Sequence, residues 1–374
     1  MQINPFIISG YVSERYFCGR EKETQELIQE ITDGNNVAII ATRRMGKSDL
    51  IRHVFNQSEI CASYYTFYVD IYATRTLREF VYLLSKEIVD ELKPQGQKSI
   101  SRFWNYIKSI QAGVSFGPAG EPSFNLQLGD LQQPETTLDE IFKYLQTADK
   151  PCIVAIDEFQ QTALYPEKNI EAILRTYIQK CSNAKFIFAG SQRHLMGQMF
   201  TSASRPFYQS VSIMNIGPID IDKYKTFAVH HFEDVGKKLD TETVDKVFAV
   251  CHNITWYVQK MFSILYSRTS SGETCRPDMV MPTLAYILST LDYTYKETLF
   301  RMPKKQKEVF VAIAKEGEAK NITSGSFVKK YKLPSPSTVQ AAVKGLLEND
   351  YLTHELGVYT VYDLFLGYWI QRNY

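Results

Sequence analysis

Short apolar runs alternate with amphipathic stretches through the first two hundred residues of the chain. Short continuous apolar runs are typical of strands buried in a parallel sheet, and apolar residues spaced three and four apart are typical of helices that pack on such a sheet. The pattern predicts helices over 21–31 and around 50–55, 138–145 and 170–177. It predicts strands at Val37–Ile40, Tyr64–Val69, Ile153–Ile156, Phe186–Ala189 and Val211–Ile216.

This alternation changes twice further along the chain. Two β-like runs joined by G-P-A-G-E-P-S predict a hairpin insertion near 112–128. From about 219 to 299 the apolar spacing is helical and shows no strand pattern. After residue 300, two helical faces are followed by short β runs at 351–353 and 358–361, the outline of a winged helix. We expect an α/β domain at 1–218, a small helical domain at 219–299 and a winged helix at 300–374.

Two helix starts are predicted from their capping residues. Thr137 and Glu140 have the spacing of a capping box, which predicts a helix that begins after Thr137. Ser335 and Pro336 form an N-cap and first-turn pair, which predicts a helix over 336–349.

Composition adds limits to this picture. The 374 residues carry 42 Lys and Arg against 41 Asp and Glu, so the formal charge of +1 gives no overall attraction to nucleic acid or membrane. The six cysteines include no C-x-x-C pair, which argues against a zinc site and a disulfide framework. The first residues lack the pattern of a signal peptide, and no run approaches the length of a membrane helix. We expect a cytoplasmic protein with no membrane partner.

The segment A-T-R-R-M-G-K-S at 41–48 lies between a predicted buried strand and an amphipathic helix. In that setting the turn points successive main-chain N–H groups inward, at the positive end of a helix, and forms an anion cradle. Gly46 lets a phosphate approach closely, Lys47 neutralises the β- and γ-oxygens, and the Ser48 hydroxyl ligates Mg²⁺. Ala41 stands where this pattern usually has its first glycine, and a coincidental loop is the alternative. We expect nucleotide contacts from Arg43, Arg44, Met45, Gly46, Lys47, Ser48 and Asp49.

A second candidate element is the strand I-V-A-I-D-E at 153–158, which ends in two adjacent carboxylates. We expect Asp157 to hold Mg²⁺ through water and Glu158 to polarise the attacking water. We also expect the strand Tyr64–Val69 to separate this acidic strand from the phosphate loop. Two surface acids at the end of a strand are the alternative. A GTP enzyme would ordinarily carry an N-K-x-D segment, which is absent, so the sequence favours ATP with Mg²⁺.

Several segments occur in an order that resembles a known group of proteins. They are F-C-G-R-E-K-E at 17–23, T-R-R-M-G-K-S, I-D-E-F-Q, F-A-G-S, S-R-P-F-Y at 204–208 and Y-x-x-x-D-L-F-x-x-x-W-I-x-R at 359–372. Over most of its length the chain resembles the prokaryotic and archaeal winged-helix ATPases of the STAND and AAA+ parts of the P-loop superfamily. The resemblance implies an AAA+-like parallel α/β sheet, a helical lid domain and a C-terminal winged helix.

The resemblance also implies roles for individual residues. Phe17, Gly19 and Arg20 would lie beside the adenine and ribose. Ser191 matches a polar residue that senses the γ-phosphate, with a strand-end cap as the alternative. Arg205 matches an arginine that approaches the phosphates of its own or a neighbouring subunit and offsets charge in the transition state, with an ordinary surface charge as the alternative.

The chain departs from the family at the segment H-N-I-T-W-Y-V-Q, 252–259. Members of the family commonly have a Gly-x-Pro turn here that contacts nucleotide, and both glycine and proline are absent. The resemblance therefore gives no support here for nucleotide sensing by the helical domain, and His252 is interpreted as a core or surface histidine.

The predicted winged helix leaves its partner open. Between Arg301 and Lys332, nine Lys or Arg face three Glu, a net charge of 9 − 3 = +6 that suits contacts with phosphates. The predicted recognition helix has Lys344 as its single basic residue, together with Glu348, and so offers little for reading bases. We expect an ATP-driven switch that moves the winged helix. The alternatives are an ATP-gated DNA-binding regulator, or a nucleotide-binding scaffold with negligible turnover that engages a protein partner or a second copy of itself.

Overall fold

The computed structural model describes residues 3–110, 113–116, 122–125 and 127–374. The first half contains α1 (Glu21–Thr32), β1 (Val37–Ile40), α2 (Lys47–Phe55), α3 (Ser58–Ser63), β2 (Tyr65–Asp70), α4 (Leu77–Leu92), α5 (Gln97–Tyr106), β3 (Gly113–Phe116), β4 (Pro122–Asn125), α6 (Pro134–Thr147), β5 (Cys152–Asp157), α7 (Ile170–Lys180), β6 (Ala184–Gly190), α8 (Arg193–Thr201) and β7 (Ser212–Asn215). The second contains α9 (Ile221–Glu233), β8 (Lys238–Leu239), α10 (Thr241–Val250), α11 (Thr255–Arg268), β9 (Thr274–Cys275), α12 (Val280–Thr290), α13 (Asp292–Arg301), α14 (Lys304–Glu316), α15 (Gly325–Lys330), α16 (Pro336–Glu348), β10 (Leu352–Glu355), β11 (Val358–Val361) and α17 (Leu364–Asn373).

Five parallel strands form the main sheet in the order β2-β5-β6-β1-β7. Successive side chains of a strand point to opposite faces, so each buried strand supplies two cores. In β1, Val37 and Ile39 join a cluster with Leu27 of α1 and Leu50 of α2. Ala38 and Ile40 join the cluster on the other face, with side chains from α4, α6 and α7. The predicted α/β sheet, covered by helices on both faces, is confirmed.

The order of the strands differs from the prediction at one point. The acidic strand β5 and the loop-bearing strand β1 are separated by a single strand, as expected, but that strand is β6. The predicted separator, Tyr64–Val69, corresponds to β2, which pairs with the outer side of β5. Apolar runs of similar length and burial do not specify which of them pair, because register and packing between distant segments decide the order.

The chain folds into two compact units, residues 1–231 with 252–263, and residues 232–251 with 264–374. The boundaries predicted at 218 and 299 stay predictions. In the second unit, α14, α15 and α16 precede the antiparallel pair β10–β11 and then α17, the arrangement of a winged helix. The second unit also holds the parallel pair β8–β9, in the stretch where the sequence shows no strand pattern. Each of these strands has two residues, too few for a periodic pattern.

One of the two predicted helix starts is confirmed and the other is wrong. The Ser335 hydroxyl accepts a hydrogen bond from the Thr338 N–H and caps α16. Helix α6, in contrast, begins at Pro134, so Thr137 lies inside it and donates its hydroxyl hydrogen to the Gln133 carbonyl. Proline at the first helical position carries the start signal there, and it was missed.

The predicted hairpin is present where the chain is described. Strands β3 and β4 pair antiparallel, from Gly113 with Asn125 to Phe116 with Pro122. The rest of the predicted insertion, at 112, 117–121 and 126, lies outside the described residues. Within the described ranges, no helix is both long and apolar enough to cross a membrane.

Cys61 is the one exposed thiol among the six cysteines, all of which are free and lie in the described ranges. Burial raises the pKa of Cys18 to about 12 and that of Cys181 to about 11. Because the thiolate is the reactive form, we expect native protein to react with one equivalent of iodoacetamide at neutral pH. Mass spectrometry of native and denatured samples measures this, with Cys61→Ser as the control that should lose the native label. Rapid native labelling at several sites would contradict the buried positions.

Candidate functional site

The phosphate loop leaves the carboxyl end of β1 and enters α2. All four residues of β1 are buried, and so is Ala41, which follows them. Arg44 and Gly46 both have left-handed backbone, with φ of 69° and 85°. Gly46 adopts this conformation without a Cβ penalty, and α2 begins at Lys47 directly after it. The loop therefore lies at the amino end of a helix, where main-chain N–H groups have no partner inside the helix.

Lys47 extends along the inside of this loop. Its side chain is buried, and Nζ donates to the carbonyl oxygens of Ala41 at 3.3 Å and Thr42 at 3.5 Å. Burial lowers the pKa of the ammonium, and the nearby carboxylates of Asp157 and Glu158 oppose that shift. In the described part of the chain Lys47 makes no ion pair. A buried cation that carbonyl oxygens alone hold is suited to a polyanionic ligand.

The metal-binding prediction concerns Ser48 and Asp157, which lie 109 positions apart in the sequence. The Ser48 hydroxyl donates to Asp157 Oδ2 at 2.5 Å. The Tyr68 hydroxyl donates to the same oxygen at 2.5 Å, and the Glu158 N–H donates to Oδ1 at 2.9 Å. A hydroxyl and a carboxylate in contact offer the hard oxygen ligands that Mg²⁺ takes. The two predicted metal residues therefore form one cluster at the mouth of the loop.

Glu158 follows β5 in a left-handed conformation, with φ of 57°. Its Oε2 accepts a hydrogen bond from the Ser191 hydroxyl at 2.7 Å and another from the Gln160 amide. Ser191 Oγ in turn accepts from Arg43 Nε at 3.2 Å. The predicted catalytic Glu158, the predicted sensor Ser191 and the loop residue Arg43 thus form one chain of hydrogen bonds. Their chemical roles stay predictions.

A cavity of about 450 Å³ opens in front of the loop, within the first unit of the chain. Tyr11 and Phe17 line one side of it. The Phe17 ring stacks on His53 of α2 with centroids 4.1 Å apart, and the Tyr11 hydroxyl lies 3.1 Å from His53 Nδ1. Gly19 nearby has φ of 68°, and a Cβ there would lie 2.7 Å from the Ile219 side chain. This side of the cavity is therefore lined by aromatic rings.

Arg20 is almost fully buried beneath the loop. One terminal nitrogen donates to the carbonyl oxygens of Met45 at 3.2 Å and Gly217 at 2.7 Å. The other pairs with Glu23 at 2.6 Å. Arg20 was predicted to lie beside adenine and ribose. It does line the cavity, yet its guanidinium bonds to main-chain carbonyl oxygens and to Glu23.

Arg44 lies against the first turn of α11. Its guanidinium is 4.9 Å from the Trp256 ring centroid and 4.8 Å from that of Tyr257. Its carbonyl oxygen accepts a hydrogen bond from the Trp256 N–H at 3.1 Å. The Trp256 indole N–H donates to the Ile8 carbonyl at 2.9 Å. The loop, the N-terminal segment and α11 therefore meet at one tryptophan.

The other predicted site residues lie in different surroundings. Asp49 lines the cavity, and burial raises its pKa. Arg205 pairs with Glu171 of α7 at 3.2 Å and is not among the described residues that line the cavity. His252 is exposed, with φ of 51°.

Three residues of the site escaped the sequence argument. Tyr68 lies on β2 opposite Ala155, two positions before the pair of Asp70 with Asp157. Period-two alternation along paired strands could have placed Tyr68 on the same face as that pair. Gln160 and Trp256 gave no comparable signal. Gln160 reaches Glu158 through the local turn that follows β5, and the packing of distant segments brings Trp256 to Arg44.

Comparisons with known proteins place both halves of the chain. Residues 17–275 match the family described as "ATPase domain predominantly from Archaea". Residues 293–372 match "Probable winged helix domain". No curated protein sequence matches the chain.

Solved structures with the same fold are distant in sequence. The Walker-type ATPase of Pyrococcus abyssi has a TM-score of 0.64 at 19% identity, covering 98% of this chain and 99% of that one. The ORC1 protein of Aeropyrum pernix, solved in complex with DNA, has a TM-score of 0.53 at 11% identity, covering 100% and 98%. The ORC2 protein of the same organism has a TM-score of 0.56 at 12% identity, covering 97% and 99%.

Proposed function

This chain belongs to the family of ATPase domains found predominantly in Archaea and hydrolyses ATP, and we propose which of its residues do so. The loop at 41–48 would hold the triphosphate, Asp157 would hold the metal ion, and Glu158 would polarise the attacking water. The observation that carries the proposal is the 2.5 Å contact between the Ser48 hydroxyl and Asp157 Oδ2. It joins the end of the anion cradle to the acidic strand.

The residues around that contact suit Mg²⁺ bound to ATP. The Ser48 hydroxyl and Asp157 carboxylate would hold the ion, which when bound neutralises charge on the β- and γ-phosphate oxygens. Lys47 supplies a buried positive charge beside them, and its carbonyl partners hold it in place. Lys47 thus faces the negative phosphates and Asp157 faces the positive metal ion.

Glu158 is the residue we propose for the proton transfer. Its carboxylate lies next in the chain to the metal residue Asp157, and Ser191 and Gln160 orient it through hydrogen bonds to one oxygen. The other oxygen would accept the proton of the attacking water. We propose that adenine occupies the aromatic side of the cavity, next to Phe17 and Gly19.

We further propose that the protein is a molecular switch of the STAND or AAA+ type, in which hydrolysis of ATP is coupled to movement of the C-terminal winged helix. It rests on the family match together with the winged-helix match at 293–372. Arg205 would take part if a second copy or another segment presents phosphates to it. A protein partner or self-association would suit a scaffold with negligible turnover.

A second candidate function is DNA binding gated by ATP. The exposed lysines of the winged helix favour it. They include Lys304, Lys305, Lys315, Lys320, Lys329 and Lys332. The exposed positions of α16 include Gln340, Ala341, Lys344 and Glu348, whose two charges cancel, so this helix offers little for base recognition and the other lysines would contact the DNA backbone. Any such binding is therefore expected to depend on salt more than on sequence.

Phosphate release from Mg·ATP, measured with and without duplex DNA at low salt, tests both functions. We expect release that stops when EDTA removes the metal. Release without any response to DNA supports the switch alone, and nucleotide-dependent DNA binding supports the regulator. Bound ATP with release only slightly above the background rate would favour the scaffold.

A further inference from the structure

We propose that Arg20 and the first turn of α11 are positioning elements of the phosphate cradle, because they hold two carbonyl oxygens of the loop through hydrogen bonds. The Trp256 N–H holds the Arg44 carbonyl at 3.1 Å, and the Arg20 guanidinium holds the Met45 carbonyl at 3.2 Å. The inference rests on the proposed function and adds residues outside the loop to it.

The geometry of the peptide unit carries the argument. In a planar trans peptide the C=O and the following N–H point in opposite directions. The Arg44 carbonyl, held by the Trp256 N–H, therefore fixes the Met45 N–H in the opposite direction, and the Met45 carbonyl, held by Arg20, fixes the Gly46 N–H in the same way. The Gly46 carbonyl accepts from the Leu50 N–H at 3.0 Å, so the Lys47 N–H follows the same direction. Three successive amides are thereby aimed at one anion.

The Arg44 side chain anchors the phosphate loop to the first turn of α11. Its left-handed φ of 69° is uncommon for a residue with a side chain and is maintained only if the surroundings compensate. The contacts of its guanidinium with the rings of Trp256 and Tyr257 provide that compensation. The positive charge of Arg44 consequently serves the loop's conformation, and the triphosphate is bound by the amides and Lys47.

The same contacts give a role to the segment at 252–259. The Trp256 N–H is one of the four amides at the start of α11 that lack a partner within the helix. The Arg44 carbonyl satisfies it, so the phosphate loop caps this helix. The indole N–H bonded to the Ile8 carbonyl fixes Trp256 from its other side. The segment thus supports the loop directly, and its residues Thr255, Trp256 and Gln259 also line the cavity in front of the loop.

A double-mutant cycle measured by calorimetry with Mg·ATP tests the anchor. We expect Arg44→Ala and Trp256→Ala each to weaken Mg·ATP binding by about three- to tenfold, and the double variant to bind no more weakly than either one. If Arg44 instead contacted phosphate directly, the two effects would multiply, which would overturn the anchor. Trp256→Phe keeps an aromatic ring next to Arg44 and is expected to bind Mg·ATP almost as tightly as the parent protein. The control for the loss of a positive charge is Arg276→Ala, at an exposed arginine in the second unit.

Inorganic tripolyphosphate tests Arg20. A preset cradle is expected to bind Mg·tripolyphosphate without a base, and Arg20→Lys, which keeps the charge but lacks the forked donors, should weaken tripolyphosphate and ATP by the same factor. An effect on ATP alone would place Arg20 at the adenine and ribose and overturn its positioning role, as would failure of the parent protein to bind tripolyphosphate. If the parent binds no Mg·ATP either, the proposed function fails as well. Melting temperatures confirm that each variant is folded.

Discussion

Replacing Glu158 by Gln is expected to lower the rate of ATP hydrolysis by about a hundred- to ten-thousandfold while Mg·ATP still binds. The amide has the size of the carboxyl group and its oxygen can accept the Ser191 hydrogen bond seen at 2.7 Å. It cannot accept a proton from water, so the step that needs a base is lost and the binding contacts are kept. Single-turnover phosphate release at saturating Mg·ATP measures the rate, and calorimetry measures the affinity.

The matched control is Glu59→Gln, an exposed glutamate on α3. It changes the net charge by the same amount and is expected to leave both quantities unchanged. Turnover of Glu158→Gln at the parental rate would remove Glu158 from the role of base. Loss of ATP binding in that variant would show instead that the carboxylate contributes to the shape of the site.

Replacing Lys47 by Ala is expected to weaken Mg·ATP binding by about thirty- to a thousandfold, the effect of removing one partner of a buried charged hydrogen-bonded pair. Turnover should fall with it, since the same charge faces the γ-phosphate in the transition state. The melting temperature without ligand is expected to change little. Burial lowers the pKa of this ammonium, which means that its charged form is disfavoured in the fold, and relief of that cost opposes the lost packing of its stem.

Thermal melting with and without Mg·ATP separates these effects. The parent is expected to gain stability from the ligand, and Lys47→Ala to lose that gain while keeping its ligand-free melting temperature. Lys180→Ala, at the exposed end of α7, is the control. Equal affinity of Lys47→Ala and the parent would contradict the assignment of the loop.

The local parts of this site could be predicted from the sequence. Strand β1, the loop and α2 follow one another directly, so burial, the turn glycine and the helical spacing are all visible within twenty residues of chain. The acidic end of β5 and the cap of α16 are visible for the same reason. Propensity and periodicity act over a few residues, and here each agrees with the final fold.

The contacts between segments that are distant in the sequence could be determined only from the tertiary structure. Strand β6, rather than β2, came to lie between β1 and β5, and Ser191 thereby reached Glu158. Periodicity states which face of a strand is buried, but it carries no information on which strand will be its neighbour.

The chain by itself determined an anion cradle followed by an acidic strand, because each is encoded in consecutive residues. Only the folded structure decided that Asp157 meets Ser48, and that Arg20 and Trp256 hold carbonyl oxygens of the loop. These contacts join segments whose approach depends on the packing of the whole sheet and its helices. Their energy comes from burial that no single segment can achieve alone.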